Sequence, residues 1–175
     1  MSGRIPLMGF IKMPCDDMHA WYFAYGSNMS TEQMVERVGR SCIEVPPQVV
    51  RLPNYRFAFN VRGEGDVVYA NLETLGPGVW GVIYRCDDAA LTSLDRFEKG
   101  YHRTQVEVFD GRQQPALAFV YLAKPECITH DGRVSDQYLR RILTGARQHA
   151  LPEEYICQIE ALGRSGIHAS IDLHR

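Results

Sequence analysis

The chain has 175 residues, of which 45% are hydrophobic and 23% are charged, and its formal net charge is −2. This length suits one domain with a sizeable core, and the composition is that of an ordinary globular protein. The near-neutral charge, without a run of Lys and Arg, argues against nucleic acid as a partner, and no apolar run is long enough to span a membrane.

The two ends of the chain are predicted to lie outside the fold. We expect residues 1–20 to form a flexible extension, because the apolar run after Arg4 is short, is interrupted by Lys12 and lacks the cleavage site of a signal peptide. A single domain is predicted over residues 21–163, followed by a C-terminal tail over 164–175.

The five cysteines are widely spaced, without a Cys-x-x-Cys pair or a histidine at helical spacing from a cysteine. This pattern argues against a disulfide framework and against a metal site, and it favours a reducing cytoplasm. We expect the cysteines to be small packing residues. No cofactor is predicted.

The first predicted element is an aromatic strand at residues 21–25, which breaks at Gly26 and leads into a helix at residues 30–39. Ser30 and Gln33 have the spacing of a capping box, in which each side chain bonds the other residue's backbone N–H. A strand, a glycine turn and a helix start aim backbone N–H groups at one point, which favours an anion or a polarised carbonyl oxygen.

The rest of the chain alternates irregularly between strands and helices. We predict an extended edge segment at 42–52, strands at 55–60, 67–72, 79–86, 101–109 and 116–122, a helix from Asp87 or Asp88 to about Glu98, and helices from Ser135 and from Pro152 to Gly163. Gly81, in the middle of a strand, suggests close approach of another backbone or of a ligand. Because these elements do not form βαβ units, the predicted class is α+β, with a mixed or antiparallel barrel-like sheet and flanking helices.

Glu98 is the most informative candidate for a functional residue. A helical wheel places it on the same stripe as Ala90, Leu91, Leu94 and Phe97. A carboxylate facing the core is costly unless it is paired, hydrogen-bonded or protonated. The pattern alone leaves three interpretations open: a side chain that swings into water where the helix frays, a general base of raised pKa in a cavity, or a structural ion pair.

Other candidates are weaker. Ser27 lies between a strand and a helix, but it lacks the flanking glycines of a hydrolase nucleophile elbow, and no histidine is nominated as its base. His102 lies in a strand and is expected to be structural or exposed. Tyr138 lies on an apolar helix face, either in the core or facing a pocket.

Three ordered blocks of the sequence resemble the gamma-glutamylcyclotransferase family. They span residues 22–162, nearly the whole predicted domain. The blocks are Tyr22-Phe23-Ala24-Tyr25-Gly26-Ser27-Asn28; Val79-Trp80-Gly81-Val82 with Leu94-Asp95-x-x-Glu98; and Gln137-Tyr138, Gly145-Ala146 and Leu151-Pro152-x-x-Tyr155.

The resemblance implies a small mixed barrel with flanking helices and the cyclisation of a small-molecule γ-glutamyl amide to 5-oxoproline, which releases an amine or amino acid. It implies that Glu98 is the catalytic carboxylate and that neither metal nor cofactor is needed. It leaves open whether the protein forms a homodimer. The residues that it assigns to substrate binding are Tyr22, Phe23, Ala24, Tyr25, Gly26, Ser27, Asn28 and Tyr138.

Two departures and three alternatives accompany this resemblance. The segment after Glu98 is short, and Asn28 differs from the residue of the glutathione-specific branch. A sister enzyme that acts on γ-glutamylamines, or one that removes a γ-glutamyl protecting group, would use the same Glu98 and differ near residues 62–66 and 99–103. A non-catalytic domain that binds a small metabolite is a further alternative.

Overall fold

The computed structural model describes residues 19–165. The predicted extension and tail therefore lie mostly outside the described residues. Where the predicted boundaries overlap them, His19 and Ala20 belong to the first strand, and Arg164 and Ser165 belong to the last helix.

Within residues 19–165 the chain forms seven strands and four α-helices. The strands are β1 (His19–Ala24), β2 (Gln48–Leu52), β3 (Tyr55–Arg62), β4 (Val68–Thr74), β5 (Val79–Asp87), β6 (Tyr101–Phe109) and β7 (Pro115–Ala123). The helices are α1 (Thr31–Val38), α2 (Asp88–Phe97), α3 (Asp136–Gln148) and α4 (Glu153–Ser165). Within this part of the chain, no helix is long and apolar enough to cross a bilayer.

Five strands follow one another around a ring in the order β1-β5-β2-β6-β7, and β7 pairs in parallel with β1. The other neighbours are antiparallel, and β2 meets β6 at a single pair, Arg51 with Phe109. Strands β3 and β4 form a separate antiparallel hairpin. The predicted α+β class with a mixed, barrel-like sheet is therefore confirmed.

The segment predicted as extended over residues 42–52 is wrong in its first half. Cys42 lies in a short 3₁₀ turn, and the strand starts only at Gln48, after two prolines that cannot donate ladder hydrogen bonds. Gly39, with a φ of 91°, ends α1 and redirects the chain into this turn. The prediction of an edge strand is confirmed in part, since β2 pairs along its length only with β5.

The close contact between β1 and β5 requires a glycine at position 81. A Cβ atom on Gly81 would lie 2.4 Å from the carbonyl oxygen of Ala24 and 2.6 Å from the ring of Phe23. The predicted close approach is therefore confirmed. It holds the end of β1, where the aromatic block turns, tightly against β5.

The four cysteines of the described residues are free thiols. Cys42 and Cys86 are buried, as expected of packing residues, and burial raises the pKa of Cys86 to about 12. Cys157 is exposed on α4, so the packing interpretation is wrong for it. Cys15 lies outside the described residues.

Helix α2 begins and ends where it was predicted to, but one residue of its predicted buried stripe is exposed. Asp87 caps it by accepting a 2.7 Å hydrogen bond from the N–H of Ala90, and Leu91 and Leu94 are buried. Phe97, predicted on the same buried stripe, is 53% exposed. The last turn leaves the core there, and the guanidinium of Arg37 lies over the Phe97 ring, 4.7 Å from its centroid.

Helix α3 packs directly on the turn that follows β1. A Cβ on Gly145 would lie 2.5 Å from backbone atoms of Met29 and Ser30. The predicted end of α4 at Gly163 is wrong, because Gly163 lies inside the helix, where a Cβ would lie 2.7 Å from the side chain of Leu139. Glycine serves here to bring α4 close to α3 rather than to end a helix.

We predict that Gly145→Ala destabilises the protein by about 1–3 kcal/mol, because the added methyl group meets backbone that cannot move aside easily. Helix propensity alone would predict a gain of about 1 kcal/mol, so the sign distinguishes the two effects. Urea unfolding followed by circular dichroism measures it. Gly111→Ala is the control, since a Cβ on Gly111 would meet nothing within 4 Å. Equal stability of Gly145→Ala and wild type would contradict this account of the packing.

Candidate active site

A cavity of about 280 Å³ opens where the end of β1 meets α1, α2 and α3. It gathers most of the residues that the sequence nominated as a site. Those that line it are Tyr22, Tyr25, Gly26, Ser27, Asn28, Glu98 and Tyr138. Phe23 and Ala24 do not line it, because both side chains are fully buried in the core. Their assignment to substrate binding stays a prediction.

The turn after β1 places Ser27 and Asn28 on the cavity wall. Beyond Gly26 the chain makes one 3₁₀ turn, Ser27–Met29, in which the N–H of Met29 donates to the carbonyl of Gly26 at 3.0 Å. The first N–H groups of such a turn have no partner inside it. Ser30 then caps α1 by accepting a hydrogen bond from the backbone N–H of Gln33.

Glu98 is the C-cap of α2, and its side chain is only 15% exposed. Its Oε1 accepts hydrogen bonds from Asn28 Nδ2 at 3.2 Å and from an Arg37 guanidinium nitrogen at 3.1 Å. The interpretation in which Glu98 swings into water is therefore wrong. The carboxylate lines the cavity and is ion-paired at the same time.

Burial raises the pKa of Glu98 above its ordinary value of 4.5, because the ionised form loses hydration. The positive charge of Arg37 and the hydrogen bonds from Asn28 and Arg37 oppose this shift without cancelling it. Glu98 is thus a carboxylate whose environment makes it a better proton acceptor than an exposed glutamate.

Asn28 connects these groups. Its Nδ2 donates to Glu98 and to the hydroxyl oxygen of Tyr22 at 2.8 Å. Its Oδ1 accepts from Gln33 at 2.7 Å and from Arg37 at 2.9 Å. An amide has two donors and two acceptor lone pairs, so the capacity of this 4% exposed side chain is fully used.

Gln33 forms a second layer behind the turn. Its Nε2 donates to Ser27 Oγ at 2.8 Å and to Asn28 Oδ1, while its Oε1 accepts from Arg141 at 2.9 Å. The reciprocal half of the predicted capping box is therefore wrong, because the Gln33 side chain supports the site instead of bonding the Ser30 backbone.

Two tyrosines fix the opposite wall of the cavity around Ala70. The Tyr138 hydroxyl accepts from the N–H of Ala70 at 3.2 Å, and the Tyr101 hydroxyl donates to its carbonyl at 2.7 Å. Tyr138, left open between core and pocket, therefore faces the pocket. Burial raises the pKa of both hydroxyls, so they stay protonated.

Ser27 is not equipped as a nucleophile. Among the described residues, no histidine lines the cavity, and His102 is exposed on β6 as expected. The same part of the chain holds no group of three His, Cys, Asp or Glu side chains that could bind a metal ion. Glu98 is the one carboxylate on the cavity wall within these residues.

Sequence reasoning missed several lining or supporting residues. Arg37, Gln33 and Arg141 lie on helices that were predicted correctly, yet polar helix residues ordinarily face solvent. A signal was present, because Gln33 and Arg37 are four residues apart, and Arg141 follows Tyr138 by three, so each pair shares a helix face. The pattern could not show that those faces border a cavity.

The architecture is a gamma-glutamyl cyclotransferase-like fold. A solved structure named gamma-glutamyl cyclotransferase superposes with a TM-score of 0.69 at 25% identity, covering 90% of this chain and 92% of that one. Residues 78–159 match the AIG2-like family.

Two curated relatives are similar in sequence across most of both proteins. The mouse protein named gamma-glutamylcyclotransferase is 28% identical over 156 residues, covering 81% of this chain and 77% of that protein. The human protein of the same name is 27% identical over 162 residues, covering 84% and 80%. These relatives, the solved structure and the AIG2-like match support the resemblance of this chain to the gamma-glutamylcyclotransferase family.

We predict that Arg37→Met raises the pKa of Glu98 further, because it removes the cation that opposes the effect of burial. The acid titration of ¹³C-labelled glutamate side chains, followed by NMR and assigned by comparison with Glu98→Gln, measures this directly. Arg40→Met is the control, since Arg40 is exposed and does not line the cavity. A Glu98 pKa that is unchanged or lower in Arg37→Met would contradict the assigned pairing.

Proposed function

We propose that this protein is a γ-glutamylcyclotransferase, which converts a γ-glutamyl amide into 5-oxoproline and a free amine or amino acid. The observation that carries the proposal is the Glu98 carboxylate, buried on a small cavity wall with a raised pKa and held by Asn28 and Arg37. Similarity to proteins named gamma-glutamylcyclotransferase supports the same reaction type.

The substrate of this reaction supplies its own nucleophile. The α-amine of the γ-glutamyl group attacks the γ-carbonyl carbon, a C–N bond closes a five-membered ring, and the amide C–N bond breaks. The protein mainly has to hold the bent conformer in which the amine reaches the carbonyl. Such positioning can lower a barrier by about 7–11 kcal/mol at the extreme.

Glu98 would carry both proton transfers. The α-amine is protonated at neutral pH and must lose a proton before it attacks, and the departing nitrogen must gain one before it leaves. One carboxylate that first accepts and then returns the proton serves both steps, an effect of about 10²–10⁴ in rate. The raised pKa of Glu98 favours this exchange at neutral pH.

The turn at Gly26 would hold the substrate's charged or polarised oxygens. Gly26 and Ser27 line the cavity, and the Tyr138 hydroxyl lies close to Gly26, so the Ser27 hydroxyl and the first N–H groups of the turn would be the donors. Preorganised donors of this kind stabilise negative charge that develops on the carbonyl oxygen during attack.

We predict that Glu98→Gln folds but loses at least about 100-fold of the 5-oxoproline formation measured by mass spectrometry. Purified protein would be offered γ-glutamyl-alanine, γ-glutamyl-lysine and glutathione. The control is Glu107→Gln, an exposed carboxylate on β6. Near-wild-type turnover by folded Glu98→Gln would end this mechanism.

The same variant carries a prediction for stability. Because the folded-state pKa of Glu98 lies above its ordinary value, the carboxyl favours folding when protonated and loses that contribution as pH rises through the folded pKa. We therefore expect Glu98→Gln to be at least as stable as wild type at pH 7, by thermal melting. A clearly lower melting temperature at that pH would contradict the direction of the pKa shift.

We predict that Gly26→Val raises KM or abolishes turnover. A Cβ here would already lie 3.3 Å from the Ala70 methyl group and 3.4 Å from the Tyr138 hydroxyl, so the two further methyl groups of valine would enter the cavity. Steady-state kinetics measure the effect, with the thermal melt as a check of folding. An unchanged KM and kcat would remove Gly26 from the substrate site.

A further inference from the structure

The guanidinium of Arg141 lies on the cavity wall together with that of Arg37. Arg37 is engaged by Glu98 and Asn28. Arg141 bonds Gln33 Oε1 through one nitrogen and forms no ion pair with any carboxylate of residues 19–165. A guanidinium has five N–H donors, so most of this fork is available to a ligand, while the contact with Gln33 orients it.

Within residues 19–165, the charges on the cavity wall amount to one carboxylate, Glu98, and two guanidinium groups, Arg37 and Arg141. Because Arg37 is already paired with Glu98, Arg141 is the guanidinium left for a substrate carboxylate. A γ-glutamyl amino acid carries two carboxylates, and when the turn at Gly26 holds the α-carboxylate, the second one remains for Arg141. A γ-glutamylamine lacks this second carboxylate and would leave Arg141 without a partner. The charge complement therefore favours a leaving group that is itself an amino acid.

The residues that line the cavity differ in burial, and this difference bears on the direction of the substrate. Tyr22, Tyr25 and Asn28, beside Glu98, are almost fully buried, whereas Arg141 is exposed. The γ-glutamyl head has to lie where its α-amine reaches Glu98. The leaving group then extends away from these buried residues, and Arg141 is an exposed residue of the cavity that can meet it.

From this geometry we propose that Arg141 binds the carboxylate of the leaving amino acid and thereby selects γ-glutamyl amino acids over γ-glutamylamines. This inference rests on the proposed function for the orientation of the substrate. Arg141 touches no reacting atom, so its role is in specificity, and a planar guanidinium suits a carboxylate because both oxygens can be bound at once.

The test compares γ-glutamyl-alanine with γ-glutamyl-alaninamide, which differs from it only by a neutral amide in place of the carboxylate. For Arg141→Met we expect kcat/KM to fall about 10–100-fold on γ-glutamyl-alanine, mainly through KM, and to change little on the alaninamide. Arg141→Lys should retain part of the preference for the acid, because it keeps the charge but not the fork. Arg140→Met is the control, since Arg140 lies on the same helix but does not line this cavity.

Equal losses on both compounds would overturn the proposal, because Arg141 would then bind the γ-glutamyl head or merely support Gln33. No loss on either would overturn it as well. If wild type consumes neither compound, the proposed function fails, and the same pair is titrated into intact wild type and Arg141→Met by calorimetry. Tighter binding of the acid that depends on Arg141 would still support a carboxylate site, and the absence of such binding would overturn it.

Discussion

The hydrogen bonds of one buried amide, Asn28, hold the cavity wall together. Its donors bind Tyr22 and Glu98, and its oxygen accepts from Gln33 and Arg37. A buried amide with an unused donor or acceptor would cost free energy, so each of these partners has to arrive in place. One side chain thereby joins the first strand, the turn after it, helix α1 and the end of α2.

The ionisation of Glu98 is a balance between burial and a nearby cation. Burial disfavours the carboxylate, and Arg37 restores part of its stability without returning the pKa to the ordinary value. A fully compensated carboxylate would be a poor base, whereas an uncompensated one would stay protonated and accept nothing. The stacking of Arg37 over exposed Phe97 helps to hold the cation beside Glu98, and this gives a role to an aromatic side chain that the core does not use.

Close helix packing determines the far wall of the cavity. Gly145 lets α3 lie against the backbone of Met29 and Ser30, and α3 carries Tyr138 and Arg141 towards the turn after β1. Gln33 donates hydrogen bonds to Ser27 and Asn28 through its amide nitrogen, and its amide oxygen accepts one from Arg141. If Arg141 selects the leaving group, then substrate choice is connected by direct hydrogen bonds to the residues that hold Asn28.

The sequence by itself determined most of the strands and helices and the nomination of Glu98, because these depend on local periodicity. It also determined the caps at Ser30 and Asp87 and the close backbone contact at Gly81, because each depends on a residue type that is favoured at such a position. Only the tertiary structure decided which polar helix residues face the cavity, since Arg37, Gln33 and Arg141 have the pattern of solvated side chains. It also buried Phe23, which the resemblance assigned to substrate binding, and exposed Phe97, which the helical wheel placed in the core. The physical reason is that burial and pairing depend on the neighbouring element, which can be 70 residues away, as Glu98 is from Asn28.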